Sequence, residues 1–168
     1  KMIFCEVSGV GISRNPLSPG DRDTMIVDSV YGQGEGLVSG LFDADSYLIS
    51  RVNDSIEKKI IEKDKMLTIS LEGGLKEESV EKDKVNESSL NDEQLKSLKK
   101  IIISLEEGMG YPVDIEFAVE KGQIYILQAR PITNLPPDGL FDGSINGRDT
   151  IIWDNSNIVE SYSGVTSP

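Results

Sequence analysis

The run Val113-Asp114-Ile115-Glu116-Phe117-Ala118-Val119-Glu120, followed by Lys121-Gly122-Gln123 and then Ile124-Tyr125-Ile126-Leu127-Gln128-Ala129-Arg130-Pro131, reads as an antiparallel hairpin. Alternation places Val113, Ile115, Phe117 and Val119 on one face of the first strand, and Asp114, Glu116 and Ala118 on the other. In the second strand Ile124, Ile126, Gln128 and Arg130 share a face. Pro131 ends that strand because it has no amide to donate to a ladder. A three-residue turn centred on Gly122 is a permitted hairpin length. It predicts Glu116 opposite Gln128 and Asp114 opposite Arg130, with Ala118 and Ile126 as an apolar continuation of the same face. Two carboxylates, an amide oxygen and a guanidinium then meet at one end of a sheet face. Hard Mg²⁺ takes oxygen ligands of this kind together with substrate phosphates, and arginine offers forked donors to phosphate. A solvated, salt-bridged sheet face fits the same residues.

Working outward, Asn91 to Met109 has the pattern of an amphipathic helix. Asn91 is a good N-cap and Gln94 three residues on completes a capping box. Leu95, Leu98, Ile102, Leu105 and Met109 line one stripe that calls for a core to cover it, and Gly108 and Gly110 are candidate stops. Upstream, Met2 to Cys5 and Val10 to Ser13 read as short strands around Ser8-Gly9, and Thr24 to Val30 as a longer one. A glycine-rich turn, Gly32-Gln33-Gly34-Glu35-Gly36, follows. Ser46 to Val52 and Ile56 to Ile61 read as strands flanking the turn Asn53-Asp54-Ser55. Met66 to Leu71 is a possible strand inside residues 63–89, which otherwise read as a mobile, charged surface loop. Pro136-Pro137-Asp138-Gly139 looks like a domain edge, so residues 1–135 form one unit and 136–168 an arm with a strand at Ile151 to Trp153. The fold class is α+β, a mainly antiparallel sheet packed against helices.

The chain has 168 residues and a formal charge of −12, with no histidine and one cysteine. The charge excludes a general nucleic-acid binder, which needs a basic footprint. No apolar run reaches the ~18 residues of a membrane span. Cys5 cannot form an internal disulfide and reads as a buried, inert thiol. With no imidazole, chemistry that needs a histidine nucleophile cannot be completed by these residues alone. The chain opens on Lys1 with a strand-like run at once, as expected of a piece of a longer polypeptide.

Asp114-Ile115-Glu116-Phe117 with Ile126-Leu127-Gln128-Ala129-Arg130-Pro131-Ile132-Thr133 resembles the end of the ATP-grasp domain in the phosphoenolpyruvate synthase family. Tyr31-Gly32-Gln33-Gly34-Glu35-Gly36-Leu37-Val38-Ser39-Gly40 is similar to that family's glycine-rich stretch, with Gln33 where Leu is common. Ser8-Gly9-Val10-Gly11 with Arg14-Asn15-Pro16 resembles an earlier strand and loop. Trp153-Asp154-Asn155-Ser156-Asn157 and Gly164-Val165-Thr166-Ser167-Pro168 resemble the entry to the next part of the enzyme. The resemblance implies the rear lobe of a cytoplasmic ATP-grasp enzyme that uses ATP and Mg²⁺. Glu116 and Gln128 match the metal positions, Arg130 the catalytic phosphate-binding position, and Asp114 a nearby acidic one. Met2 and Ile3 fall where a hinge strand lines the adenine pocket. The implied partners are a front lobe, a phosphohistidine domain and a pyruvate/phosphoenolpyruvate-binding domain of the same polypeptide. The implied reaction converts ATP, pyruvate and water to phosphoenolpyruvate, AMP and phosphate. Rifampicin phosphotransferases share the lobe and the Gln-Ala-Arg-Pro ending, and a degenerate, non-catalytic nucleotide-binding module remains an alternative. Arg130-Pro131-Ile132-Thr133 resembles the synthase pattern more than that of pyruvate phosphate dikinase.

Overall fold

The computed structural model describes residues 4–133 and 135, apart from 17, 19, 71 and 72. Met2, Ile3 and the expected arm with its Ile151 to Trp153 strand lie outside the described residues. Strands β1 (Val7–Ile12), β2 (Thr24–Tyr31), β3 (Asp45–Ser50), β4 (Ile56–Lys59), β7 (Val113–Glu120) and β8 (Gln123–Pro131) form one sheet in the order β4-β3-β2-β1-β7-β8. All of its pairings are antiparallel. Strands β5 (Lys65–Ile69) and β6 (Leu75–Ser79) make a separate two-stranded ribbon, and the helices are α1 (Glu35–Val38) and α2 (Asp92–Met109). The α+β class and the antiparallel sheet agree with the sequence.

Helix α2 begins with the expected capping box. Asn91 Oδ1 accepts from the Gln94 amide at 2.8 Å and Gln94 Oε1 accepts from the Asn91 amide at 2.9 Å. It ends at Gly110, whose φ of 77° is open to glycine at little cost. Leu95, Leu98 and Ile102 share one buried cluster with Val113, Ile115, Phe117 and Val119, so the helix stripe and the apolar face of β7 cover each other. Glu106 is also buried on this helix, where hydrophobic periodicity gave no sign of it. It accepts from Arg51 Nη1 at 2.7 Å and Arg14 Nη2 at 3.4 Å.

Three expectations are corrected. The strand read from Val10 to Ser13 instead runs Val7–Ile12 through Ser8-Gly9, and Phe4 and Cys5, the described part of the other expected strand, lie outside any strand. Gly9 sits inside because a Cβ there would lie 2.2 Å from the Asp28 carbonyl oxygen and 2.6 Å from the Phe117 ring. That close approach is why a residue that ordinarily weakens strands is tolerated. Cys5 is half-buried rather than buried; its thiol donates to Gln33 Oε1 at 3.4 Å, and partial burial raises its pKa. Residues 63–89 are not simply a surface loop. They hold the β5–β6 ribbon and are pinned by buried Lys63, Leu67, Val80 and Ser89. Lys63 Nζ donates to Asp45 Oδ1 at 2.6 Å and to the Ile61 carbonyl at 2.9 Å. Asp45 Oδ2 accepts from the Ser89 amide at 2.8 Å and the Ser89 hydroxyl at 2.7 Å. The ribbon meets the glycine-rich turn where the Gln33 amide donates to the Leu67 carbonyl at 2.8 Å. Gly32, at φ 75°, leaves that carbonyl room, since a Cβ would lie 2.2 Å from it.

Candidate functional site

Glu116 pairs with Gln128 and Asp114 with Arg130, as the sequence predicts, but by a different route. The turn holds two residues, Lys121 and Gly122, both at positive φ, with Glu120 opposite Gln123. That is the backbone twist favoured in tight hairpins. A ladder continued unbroken from this turn would set Leu127 opposite Glu116. Instead a β-bulge opens between Glu116 and Phe117, and Leu127 is the extra residue. On the turn side of the bulge Ala118 pairs with Tyr125, not Ile126, and Ile126 lies opposite core-facing Phe117. The expected apolar continuation through Ile126 is therefore wrong, because the bulge shifts the phase of the strand by one residue.

The sheet face away from α2 carries ordered rows. Ser46, Asp28, Val10, Glu116 and Gln128 stand in register across β3, β2, β1, β7 and β8. Beside them run Leu48, Ile26, Ile12, Asp114 and Arg130. Arg130 Nε and Nη2 both donate to Asp114 Oδ2, at 3.0 Å and 2.9 Å. That carboxylate aims the guanidinium along the sheet edge. Neither the Glu116 carboxylate nor the Gln128 amide is engaged by another described side chain, so two oxygen-bearing groups stand next to each other with spare capacity.

Beside Glu116 lies a cleft of about 300 Å³. Ser8, Val10 and Glu116 form its floor, while α1 supplies Leu37 and Val38 as one wall and Leu75 and Leu127 close other sides. Ser8 Oγ donates to the Gly32 carbonyl at 2.6 Å and so ties the glycine-rich segment to β1. Gly36 lets α1 pack against Phe42, whose ring would lie 2.6 Å from a Cβ there. The four apolar wall residues escaped the sequence reading. Leu37 and Val38 lie within the quoted glycine-rich stretch and Leu127 within the hairpin motif, but nothing local marks them as converging.

The donor set suits a hard divalent cation bound with polyphosphate. Glu116 would give a carboxylate and Gln128 an amide oxygen, with phosphate oxygens and water as further oxygen ligands. Among the described residues no group of three or more acidic or cysteine side chains gathers into a self-sufficient metal cage. Met2 and Ile3, the expected adenine-lining residues, lie outside the described residues. No helix among the described residues is long and apolar enough to cross a membrane.

Comparison with known proteins identifies the family of the chain. Residues 1–139 match the family model described as pyruvate phosphate dikinase, AMP/ATP-binding domain. The chain is 39% identical over 137 residues to an uncharacterised phosphotransferase of Bacillus subtilis, covering 82% of this chain and 16% of that protein. It is 36% identical over 136 residues to a probable phosphoenolpyruvate synthase of Methanocaldococcus jannaschii, covering 80% of this chain and 11% of the relative. Rifampicin phosphotransferase of Bacillus subtilis is 34% identical over 139 residues, 82% of this chain and 16% of that protein. The chain thus spans less than a fifth of each of these relatives. Its hairpin, glycine-rich turn and β1 all fall inside the matched span, and the chain belongs to the pyruvate phosphate dikinase AMP/ATP-binding domain family.

Proposed function

We propose that this chain is the rear lobe of an ATP-grasp domain in a phosphoenolpyruvate synthase-like phosphotransferase, and that it binds Mg-ATP on the open face of its sheet. The observation that carries the reading is the pairing of Glu116 with Gln128, neither engaged by another described side chain, next to an Arg130 already held by Asp114. Glu116 and Gln128 would hold Mg²⁺ against the polyphosphate. A Mg²⁺ ion held there would supply charge neutralisation to the phosphates. Arg130 would balance charge as the transferred group moves. Residues 1–135 serve as the nucleotide-binding lobe and 136–168 as an arm toward the rest of a cytoplasmic polypeptide.

The phosphoryl group would pass to a carrier histidine elsewhere in that polypeptide, because these 168 residues contain none. From there it would reach pyruvate, giving phosphoenolpyruvate, AMP and phosphate from ATP, pyruvate and water. A second acceptor is favoured by the 34% identity to rifampicin phosphotransferase, which is close to that of the synthases. The isolated chain should not catalyse transfer, since it has neither the carrier nor a front lobe to exclude water.

The test uses the full-length protein and ATP labelled at the β-phosphate. The expected result is acid-labile, base-stable label on a histidine outside this chain, discharged by pyruvate and not by rifampicin. Discharge by rifampicin alone would select the antibiotic kinase. Absence of any Mg-dependent ATP binding would defeat the nucleotide reading altogether.

A further inference from the structure

Exposed apolar side chains scattered singly over a surface need no explanation. Convergence of several on one cavity is different. Val38, Leu75 and Leu127 are 65%, 45% and 52% exposed, and all three line the cleft beside Glu116. They come from three separate elements: α1, the β5–β6 ribbon and the bulge of β8. Leu75 is the unexpected member, because it lies in the stretch that reads as a charged loop and belongs to no motif.

The ribbon is anchored at its root. Its root is held by the Gln33–Leu67 hydrogen bond and by Val80, whose amide donates to the Asp64 carbonyl at 3.0 Å. At its tip Gly73 and Gly74 have φ of 95° and 77°, and a Cβ on either would meet nothing within 4 Å. Leu75 immediately follows that tip and reaches the cleft. A cavity of about 300 Å³ sits at the small end of ligand-binding pockets, which span roughly 300–1,000 Å³. It has room for the nucleoside half of a nucleotide but not for the triphosphate as well. The polar groups that would take the phosphates lie on the same sheet face, Glu116 in the lining of the cleft and Gln128 and Arg130 on the adjoining strand.

We infer that Leu75, presented by the tip of the β5–β6 ribbon, packs on the nucleoside half of bound ATP and is a binding residue of the site. This rests on the nucleotide reading given above and adds a third wall to it. The ribbon supplies apolar cover and shape rather than hydrogen bonds. Two nearby polar groups are already used, Ser8 Oγ by the Gly32 carbonyl and Gln33 Oε1 by the Cys5 thiol. Ligand affinity should therefore fall with the apolar area of residue 75 and be indifferent to the phosphates.

The experiment titrates the full-length protein with Mg-ATP and, separately, with Mg-tripolyphosphate, which keeps the charged chain and lacks the nucleoside. Leu75→Asn should weaken Mg-ATP by about 5–10-fold, as expected for losing contact with a half-buried aliphatic side chain. It should leave tripolyphosphate affinity and the melting temperature unchanged. Leu75→Met, which keeps the apolar bulk, should bind Mg-ATP within about twofold of the parent. If the parent binds Mg-ATP and Leu75→Asn binds it equally well, the ribbon is not part of the site. A matching loss of tripolyphosphate affinity would likewise overturn the contact, since it would mean that the substitution disturbs the phosphate end. Failure of the parent protein to bind either ligand would instead remove the nucleotide reading on which the inference stands.

Discussion

Asp45 and Glu116 are carboxylates on the same six-stranded sheet, separated by β2 and β1 and turned to opposite faces. Asp45 is fully buried, and each of its oxygens is occupied: Oδ1 by Lys63 and the Ile61 amide, Oδ2 by Ser89. Glu116 is half-exposed, with no described side chain on it. A charge that has used all its capacity inside the protein fixes the fold and can offer nothing to a ligand. A charge left with capacity to spare adds little to stability and is available for binding. The contrast separates the polar groups that hold the β5–β6 ribbon from those of the proposed nucleotide face, and it can be tested by substitution on both sides.

The largest effect is expected at the buried pair. Lys63→Met should cost about 3–5 kcal/mol, because it strands the Asp45 charge in the interior. The shift of the denaturant midpoint measures it, and a loss below about 1 kcal/mol would dissolve the contrast. Under the proposed function, Glu116→Gln and Arg130→Ala in the full-length protein should leave that midpoint in place yet slow ATP-dependent phosphorylation of its carrier histidine by roughly 10²–10³ or more. Exchange between pyruvate and phosphoenolpyruvate through a pre-phosphorylated histidine should survive. Equal damage to both half-reactions at an unchanged melting temperature would mean that these residues are not confined to the ATP site.

A smaller effect is expected for Asp114→Asn. The exposed pair it breaks is worth little, so stability should move by no more than about 0.5 kcal/mol. Losing the carboxylate that aims Arg130 should still cost about tenfold in the phosphorylation rate, since misorientation is expensive in the transition state. An unchanged rate would show that the nucleotide, not Asp114, orients the guanidinium.

The smallest effect concerns Tyr31, beside Lys63, whose phenol is pushed up to about 12 from 10, first by burial and then by the Asp45 charge. Between those values the folded state keeps a proton that the unfolded state has lost, so stability is full below pH 10 and falls as pH rises toward 12. Tyr31→Phe should flatten the decline of melting temperature over that window. A parallel decline in both proteins would place the alkaline sensitivity elsewhere.

The helix and the hairpin were legible because their signals are local: a capping box, a 3.6-residue stripe, and alternation bounded by a turn. The residues facing one another at the site were legible too, though through a turn one residue too long and without the bulge that compensates for it. The β5–β6 ribbon was not legible. Lys65-Met66-Leu67-Thr68-Ile69 and Leu75-Lys76-Glu77-Glu78-Ser79 bury little on either face. What holds them lies far away in sequence, at Gly32, Gln33 and Asp45. Strand β1 was started too late in the reading because glycine usually interrupts strands, whereas here Gly9 makes way for the Asp28 carbonyl and Phe117. Lys63 and Glu106 are buried charges whose partners are 18 and 55 positions away, a distance at which no window of residues carries information.

The unpaired Leu127 has a consequence for anyone who would transplant this site. Glu116 and Gln128 look like a portable dipeptide pair, to be grafted onto any stable hairpin. They are not. With the two-residue turn at Lys121-Gly122 and a straight ladder, Leu127 would sit opposite Glu116 and Ala129 opposite Asp114, and both functional partners on β8 would be turned into the scaffold's interior. The transferable cassette is the turn, the bulge and the four polar residues together. Deleting Leu127 along with the graft would keep the register, because Gln128 would then follow Ile126 directly into the place opposite Glu116, at the expense of one apolar wall of the cleft.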